Sequence, residues 1–399
     1  MKIDHIEVIN LLYPIPEAQS QRFAYAGGRL TGRLTTLVRV YTDTNHVGIG
    51  TIYSHPLLVR TMLEQHLIPF LIGSDPLDVE ALWAKLYRAT RWYGRKGVAV
   101  SALGGLDIAF WDLRGKAVGK PVYALLGGTR HAVPAYASAL LWSHDLDALV
   151  EEAGSYPAQG FRRVKMRLGK SEAYDVAAVE AVRRAVGPSI GVIVDASMRY
   201  DLEVAVRMAK RLEALDVFWF EEPFEPEDID NYVALRGQTT MRLAAGENDF
   251  GVQGFRELLR AGAVTVVQPD VCRAGGVTEC YRIGQMAAQY NASVGTHTWS
   301  DAVAVVGNAH VVAALPNGLS VEMDRTGNPF IDELLTEPLT VRDGLLRLSD
   351  APGLGIELNE ATVDRYRLPM DQPIPDGAYS DMSFGKAFDV RTPPYEKLG

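Results

Sequence analysis

Short apolar runs alternate with helix-compatible stretches through the second half of the chain, and this alternation restricts the possible folds more than any other feature. It begins near Pro134 and stops near Met323. Regular strand–helix alternation predicts parallel βαβ units and, at this length, a closed barrel of the TIM type. The candidate strands are residues 134–139, 161–167, 190–195, 217–221, 243–247, 264–269, 293–297 and 318–322.

The residues before the barrel have a mixed α+β pattern. The glycine-rich segment Phe23–Gly32 is poorly periodic, which is typical of an ordered loop that serves as a lid. We predict a capping lobe at 1–127, the barrel at 128–325 and a C-terminal segment at 326–399 that returns to the cap. The predicted cap elements are an edge strand at 2–9, a hairpin of 34–41 with 46–53, and helices that begin at Pro56, at Pro76 and near Gly97.

Three acids end consecutive candidate strands at equal intervals. Asp195, Glu221 and Glu247 are each 26 residues apart (221 − 195 = 26 and 247 − 221 = 26). Because parallel strands point the same way, the three carboxylates are expected at one end of the barrel. Converging carboxylates repel each other unless a cation lies among them, and all-oxygen ligation suits Mg²⁺. One such acid alone would be an ordinary helix cap or surface group, so the repeated position is what predicts the metal site.

Other strand ends carry groups suited to binding and proton transfer. Lys165 and Arg167 alternate on the second strand, so both side chains are expected to face the barrel axis. Asp270 and His297 end the sixth and seventh strands, and a carboxylate on one imidazole nitrogen fixes the tautomer and raises basicity. We predict a general acid/base pair here, with a structural histidine as the alternative. Glu322 ends the eighth strand.

Composition limits the range of partners. Of 399 residues, 47% are apolar and 22% are charged, and the net charge of −9 with a pI near 5.5 gives no indication of nucleic acid or an anionic membrane surface. Cys272 and Cys280 are too few for a disulfide framework or a zinc site. The polar start of the chain, and the lack of a run of about 18 apolar residues, predict a cytoplasmic protein.

Short stretches in both halves carry a resemblance to a known family. They are Lys165–Arg167, Val194–Ala196, Phe220–Pro223, Ala245–Asn248, Gln268–Asp270, Ala274–Thr278 and Gly295–His297, with Tyr93–Gly97, Leu106–Lys116 and Pro121–Gly128 in the first lobe. Over about residues 1–360 the chain resembles the enolase superfamily, and within it the mandelate racemase subgroup. The resemblance implies a capping domain over a modified (β/α)₇β-barrel, with one Mg²⁺ on the three acids. It also implies removal of the proton next to a carboxylate to give a metal-stabilised enediolate, with protonated Glu322 donating a hydrogen bond to the substrate carboxylate.

The second strand departs from the racemase pattern. That pattern is Lys-x-Lys, whose second lysine is one of two bases on opposite faces of the substrate, whereas this chain has Arg167. A guanidinium stays protonated and is a poor base, so racemisation loses one of its two bases. Dehydration needs one group, since His297 can take the α-proton and then protonate the leaving β-hydroxyl in a syn elimination. We predict an acid-sugar dehydratase that forms a 2-keto-3-deoxy acid, in which Lys165 neutralises the metal-bound carboxylate and Arg167 orients the substrate.

Further positions are candidate substrate contacts. Ser197 stands where the racemase has an asparagine that binds the substrate hydroxyl, which argues against a mandelate-like substrate. Arg167 and Arg29 favour a diacid such as galactarate or glucarate, although hydroxyl recognition would also explain them. Tyr25, His55 and Trp299 complete the candidate contacts, each with plain packing as the alternative.

Several alternatives remain open. Within the family they are a racemase or epimerase that uses His297 with another partner, and a cycloisomerase of an acid-sugar lactone. Outside it are an unrelated TIM-barrel metal hydrolase, which predicts more histidine ligands than the strand ends show, and a scaffold that binds metal without turnover. The expected partners are a small acid sugar and further copies of the same chain.

Overall fold

An α+β lobe forms the first part of the molecule. Strand β4 (Gly32–Thr42) pairs antiparallel with β1 (Ile3–Pro14) on one side and with β5 (Val47–Ile52) on the other, which confirms the predicted hairpin and the predicted edge strand. A π-helical turn (Leu63–Leu67) and a 3₁₀ turn (Ile68–Phe70) follow the first helix. The described elements of this lobe are β1 (Ile3–Pro14), β2 (Ala24–Tyr25), β3 (Gly28–Arg29), β4 (Gly32–Thr42), β5 (Val47–Ile52), α1 (Pro56–Met62), α2 (Val79–Thr90), α3 (Val98–Val118) and α4 (Val122–Leu125).

Eight parallel strands then close into a barrel, as predicted. They are β6 (Ala132–Ser138), β7 (Arg163–Arg167), β8 (Gly191–Asp195), β9 (Val217–Glu221), β10 (Leu243–Ala245), β11 (Val266–Val267), β12 (Ser293–Thr296) and β13 (Gly318–Asp324). Each strand pairs with the next, and β13 pairs with β6 to complete the ring. The intervening helices are α5 (Leu146–Ser155), α6 (Glu172–Val186), α7 (Leu202–Ala214), α8 (Ile229–Arg236), α9 (Gly251–Ala261), α10 (Gly276–Gln289) and α11 (Ala302–Ala314), with a 3₁₀ turn at Pro157–Gln159. This is the expected (β/α)₇β-barrel under an α+β cap.

The chain after the barrel contacts both lobes. One hairpin pairs antiparallel with β6, and a second pairs with β4 of the cap. Its described elements are α12 (Pro329–Asp332), β14 (Val341–Arg342), β15 (Leu345–Arg347), α13 (Glu360–Tyr366), β16 (Ala378–Tyr379) and β17 (Met382–Ser383). The computed structural model describes residues 1–17, 24–25, 28–143, 145–369, 372–373, 378–379, 382–384 and 394–398, with backbone alone at 24–25, 28–29 and 378–379. Within these residues, each helix is too short or too polar to cross a bilayer.

Two boundaries differ from the predicted ones for local reasons. Helix α2 begins at Val79, not at Pro76, because the Asp75 carboxylate accepts a hydrogen bond from the Leu77 N–H (3.1 Å) and holds a turn there. Strand β10 stops at Ala245, because Gly246 has φ +126°, a backbone conformation essentially restricted to glycine.

The cap and barrel meet closely along α3, which is buried over nearly its whole length. A Cβ placed on Gly104 would lie 2.7 Å from the carbonyl oxygen of Val271, so glycine lets this helix lie directly on the loop after β11. On the same helix, Asp107 accepts hydrogen bonds from Thr278 N–H (2.9 Å) and Oγ1 (2.6 Å), and Trp111 donates to Thr278 Oγ1 (2.8 Å). The cap therefore sits over the carboxyl ends of the barrel strands.

Candidate active site

The three evenly spaced acids meet at the carboxyl end of the barrel. Asp195 and Glu221 are paired by register at the ends of β8 and β9, and Glu247 follows β10 after Gly246. One carboxylate oxygen from each acid lies within 4.8 Å of the others. Oε2 of Glu247 is buried and, among the described residues, accepts no hydrogen bond. An all-oxygen set with an unpartnered buried oxygen fits a hard divalent ion such as Mg²⁺.

Electrostatics at these acids also favour a cation. Burial, together with the nearby charges of Asp195 and Glu247, raises the pKa of Glu221 to about 8 in spite of the adjacent Lys165 ammonium. The neighbouring Glu222 is also fully buried, and burial beside Glu247 raises its pKa well above the usual value. Positive charge placed among these carboxyls relieves their repulsion.

Lys165 and Arg167 face the same cluster from β7. The Lys165 ammonium is 2.7 Å from Glu221 Oε1, 2.6 Å from Glu322 Oε1 and 3.7 Å from Asp195 Oδ2. Burial opposes its charge, but these acids outweigh burial and raise the pKa of Lys165 well above its usual value. Arg167 forms an ion pair with Asp195 and donates to Ser197 Oγ (3.3 Å). Both side chains are therefore permanent cations at the predicted metal site.

The backbone around the acids is held in left-handed conformations that non-glycine residues rarely adopt. Ser197 and Met198 have φ of +52° and +62°, Leu140 has +50° and Glu222 has +35°. The Ser197 N–H donates to Asp195 Oδ1 (2.8 Å), which stabilises the turn after this acid. Such conformations are concentrated at functional sites, where surrounding contacts hold them in place.

His297 and Asp270 form the expected pair. Nδ1 of His297 is 2.9 Å from Asp270 Oδ2, and Asp270 Oδ1 accepts from the Cys272 N–H (3.0 Å) and from Asn308 Nδ2 (3.0 Å). The geometry places the proton on Nδ1, and Nε2 lies 3.8 Å from Glu247 Oε2. Burial opposes protonation, but Glu247 and the hydrogen bond to Asp270 raise the pKa of His297 to about 9.

Glu322 lies in direct contact with the Lys165 ammonium. It is fully buried, its Oε2 accepts from the Thr298 N–H (2.8 Å), and its Oε1 is at the Lys165 ammonium. Burial alone would raise its pKa, but Lys165 and His297 outweigh burial and hold the pKa of Glu322 below the usual range. Direct contact with a buried ammonium favours the carboxylate form of Glu322. Donation from protonated Glu322 to a substrate carboxylate stays a prediction.

The structure describes the side chains of some candidate substrate contacts and not of others. Trp299 is buried with its ring beside two guanidinium groups, those of Arg33 (4.8 Å) and Arg167 (5.8 Å). His55 is half-buried at the start of α1, and burial lowers its pKa. The side chains of Tyr25 and Arg29 lie outside the described residues, although the backbones of β2 and β3 pair there.

Three residues that are not among the candidate site residues predicted above also contact the site. Tyr53 from the cap packs its ring edge-on to His297, with the ring centroids 5.7 Å apart. Trp219 donates from Nε1 to Glu221 Oε2 (2.9 Å) inside the barrel. Asn308 orients Asp270 from α11, and its sequence signal is an amide in a helix whose other residues, apart from His310, are apolar.

Fold and site together define a capped (β/α)₇β-barrel with three clustered carboxylates suited to a cation. The family model described as mandelate racemase/muconate lactonizing enzyme, N-terminal domain, matches residues 18–127, and the model described as enolase C-terminal domain-like matches residues 148–362. The chain belongs to the mandelate racemase subgroup of the enolase superfamily.

Characterised relatives include two kinds of enzyme. The chain is 34% identical to D-galactarolactone cycloisomerase of Agrobacterium fabrum over 87% of this chain and 95% of the relative. It is 34% identical to arabinonate dehydratase of Saccharolobus solfataricus over 82% of this chain and 89% of the relative. Among solved structures, a mandelate racemase/muconate lactonizing enzyme from a marine actinobacterium in complex with magnesium superposes with a TM-score of 0.83 at 30% identity, covering 92% of this chain and 99% of that one.

Proposed function

We propose that the protein is a Mg²⁺-dependent dehydratase of an acid sugar, an aldonate or an aldarate. The observation that carries the proposal is the asymmetry of the site. One face has a titratable dyad, His297 with Asp270, while the guanidinium of Arg167 is ion-paired with Asp195 and cannot act as a second base. A single acid/base group suits elimination better than racemisation.

One imidazole carries out both proton transfers of the proposed reaction. Nε2 of His297 takes the proton from the carbon next to the substrate carboxylate. The bond from the β-carbon to its hydroxyl then breaks, and the same nitrogen returns the proton so that water leaves. The resulting enol tautomerises to a 2-keto-3-deoxy acid. Because one group serves both steps, proton and hydroxyl leave from the same face.

Asp195, Glu221 and Glu247 would hold the Mg²⁺. The ion supplies positive charge for the carboxylate oxygens on which negative charge develops as the α-proton leaves. Lys165 supplies a second, permanent charge on the same side, because its ammonium is held at Glu221 and Glu322. We propose that Ser197, whose Oγ accepts a hydrogen bond from Arg167, contacts a substrate hydroxyl.

A lactone cycloisomerase is the second candidate, favoured by the similarity to D-galactarolactone cycloisomerase. Its reaction would share the removal of the α-proton by His297, but the leaving group would be a ring oxygen and no water would be released. A cytoplasmic location and a homo-oligomeric state stay predictions from the sequence.

The test is a screen of C4–C6 aldonates, aldarates and their lactones with Mg²⁺, with products followed by NMR. Dehydration gives a keto acid from an open-chain acid sugar, whereas cycloisomerisation converts only the lactones. Exchange of the α-proton with inversion and without loss of an oxygen group would show a racemase and contradict the proposal.

Variants of the dyad test the assigned roles. We expect His297→Asn to lower kcat about 10²–10⁴-fold, the usual contribution of a general acid/base. His310→Asn is the control, because His310 is equally buried but bonds the Tyr123 N–H (3.1 Å) and the Leu354 carbonyl (3.1 Å), away from the three acids. Unchanged turnover in His297→Asn would make the assignment wrong.

A further inference from the structure

The C-terminal segment Pro394–Leu398 lies against the starts of two barrel helices. Glu396 pairs in parallel with Ser171, the N-cap residue of α6, and its carbonyl accepts from the Glu172 N–H (2.9 Å). The Leu398 N–H donates to Glu172 Oε2 (3.0 Å). Because α6 starts where the loop after β7 ends, the segment is anchored at the rim of the barrel that carries the site.

A second anchor is at the next helix. Lys397 forms an ion pair with Asp201, which is the N-cap residue of α7 and accepts from the Val204 N–H (2.9 Å). Helix α7 starts at the end of the loop that follows Asp195. The segment thus joins the loop that follows Arg167 and the loop that follows Asp195.

Asp175 connects the segment to these loops directly. Its Oδ2 accepts from the hydroxyl of Tyr395 (2.9 Å), from the hydroxyl of Tyr200 (2.6 Å) and from the Gly169 N–H (2.9 Å). Its Oδ1 accepts from the Lys170 N–H (3.2 Å), and the rings of Tyr395 and Tyr200 pack with their centroids 5.1 Å apart. The buried carboxylate of Asp175 therefore holds Tyr395, the loop after β7 and the loop after β8.

The loops after β7 and β8 contact each other and the backbone next to the acids of the site. The residue after Arg167, Leu168, donates its N–H to the carbonyl of Asp195 (2.7 Å). A Cβ on Gly169 would lie 2.6 Å from the Ala196 carbonyl oxygen, so the two loops are in direct contact. Tyr200 donates its N–H to the Pro223 carbonyl (3.0 Å), which follows the Glu221–Glu222 pair.

We propose that Pro394–Leu398 is a strap that fixes the loops of Arg167, Asp195 and Ser197 in the arrangement that binds the cation and the substrate, with Tyr395 as its positioning residue. Tyr395 acts through Asp175 and touches neither. The effect on turnover rests on the proposed function, whereas the effect on the cation site is independent of which substrate is used.

The test compares Tyr395→Phe with Tyr281→Phe. Tyr281 is the matched control, since its hydroxyl donates one hydrogen bond of similar length (2.8 Å, to the Leu126 carbonyl) remote from these loops. Mg²⁺ affinity is measured by titration calorimetry of the metal-free protein, and KM and kcat are measured on a substrate from the screen. We expect Tyr395→Phe to weaken Mg²⁺ binding and raise KM about three- to tenfold, the loss of one hydrogen bond, with kcat less affected.

Deletion of residues 394–399 should weaken Mg²⁺ binding more than Tyr395→Phe, because it removes both anchors as well. Wild-type Mg²⁺ affinity and KM in the deletion variant would overturn the proposal, and so would equal effects of Tyr281→Phe and Tyr395→Phe. If the wild-type protein dehydrates none of the acid sugars, the proposed function is wrong. The calorimetry still tests the role of the strap, because it measures Mg²⁺ affinity without a substrate.

Discussion

At the scale of single residues, the charges of neighbouring carboxylates control the protonation of His297. His297 lies 3.8 Å from Glu247 and shares a hydrogen bond with Asp270, and both carboxylates favour the protonated imidazole. A general base must be neutral before it can take a proton. A cation held at Glu247 would cancel the charge that contributes most to raising the pKa of His297, and metal binding would therefore also switch the base on.

We predict that Mg²⁺ lowers the pKa of His297. NMR titration of its ring should show a pKa of about 9 without metal, and a value lower by about 1–3 pH units with saturating Mg²⁺, the usual effect of a charge at this distance. His297→Asn assigns the signal. A pKa that does not respond to Mg²⁺ would mean that the ion binds away from Glu247.

The raised pKa of His297 also determines how the unfolding free energy of the metal-free protein changes with pH. Since the folded-state pKa is above that of the unfolded chain, the stabilisation by protonated His297 is complete below about pH 6.5 and is lost as the pH rises through about 9. The difference in unfolding free energy between wild type and His297→Asn should shrink over this window, as measured by urea unfolding.

Among the elements, β10 shows how a strand end positions a ligand. The sequence predicts this strand to 247, but Gly246 ends it early, and its φ of +126° turns the chain so that Glu247 reaches the other acids. A Cβ at Gly246 would lie 2.5 Å from Phe255 Cε1 on α9. Both the backbone angle and the close approach therefore require glycine.

We predict that Gly246→Ala lowers the unfolding free energy by about 1–3 kcal/mol and also weakens Mg²⁺ binding, because backbone strain and overpacking move Glu247. Gly262→Ala is the control: Gly262 caps α9 at φ +66°, and no atom of the described residues lies within 4 Å of an added Cβ. We expect Gly262→Ala to lower the unfolding free energy and to leave Mg²⁺ affinity unchanged. Wild-type Mg²⁺ affinity in Gly246→Ala would contradict the positional role of this glycine.

The whole molecule is built around buried contacts between its two lobes. Thr35 and Thr51 of the cap donate to Asp301 at the start of α11, and Arg33 of β4 forms a buried ion pair with Asp324 at the end of β13. These contacts form only when cap and barrel are joined. Because breaking a buried ion pair and buried hydrogen bonds is costly, the lobes are expected to unfold together.

We predict that the cation stabilises this whole unit by binding the folded state alone. The unfolding free energy should rise by about 2.7 kcal/mol at a Mg²⁺ concentration of 100 times Kd. Thermal unfolding with Mg²⁺ and with a chelator measures the effect. Glu247→Gln is the control, and a rise of the same size in that variant would place the bound ion elsewhere.

Particular residues show how far the sequence leads. The periodic strands and the acids at their ends predict the barrel and the meeting of Asp195, Glu221 and Glu247, because parallel strands must deliver their ends to one rim. The arrangement of Asp270 with His297 follows from the same rule applied to adjacent strands. Each of these inferences needs only local periodicity and the geometry of one fold.

Other features depend on contacts between residues far apart in the chain, and only the tertiary structure decided them. The charge of Glu322 follows from the Lys165 ammonium across the barrel, the orientation of Asp270 from Asn308, and the place of Tyr395 from Asp175. No periodicity encodes these meetings, because each depends on how separate elements pack. The sequence by itself determined the barrel and the order of its site residues; packing decided their protonation and what holds them in place.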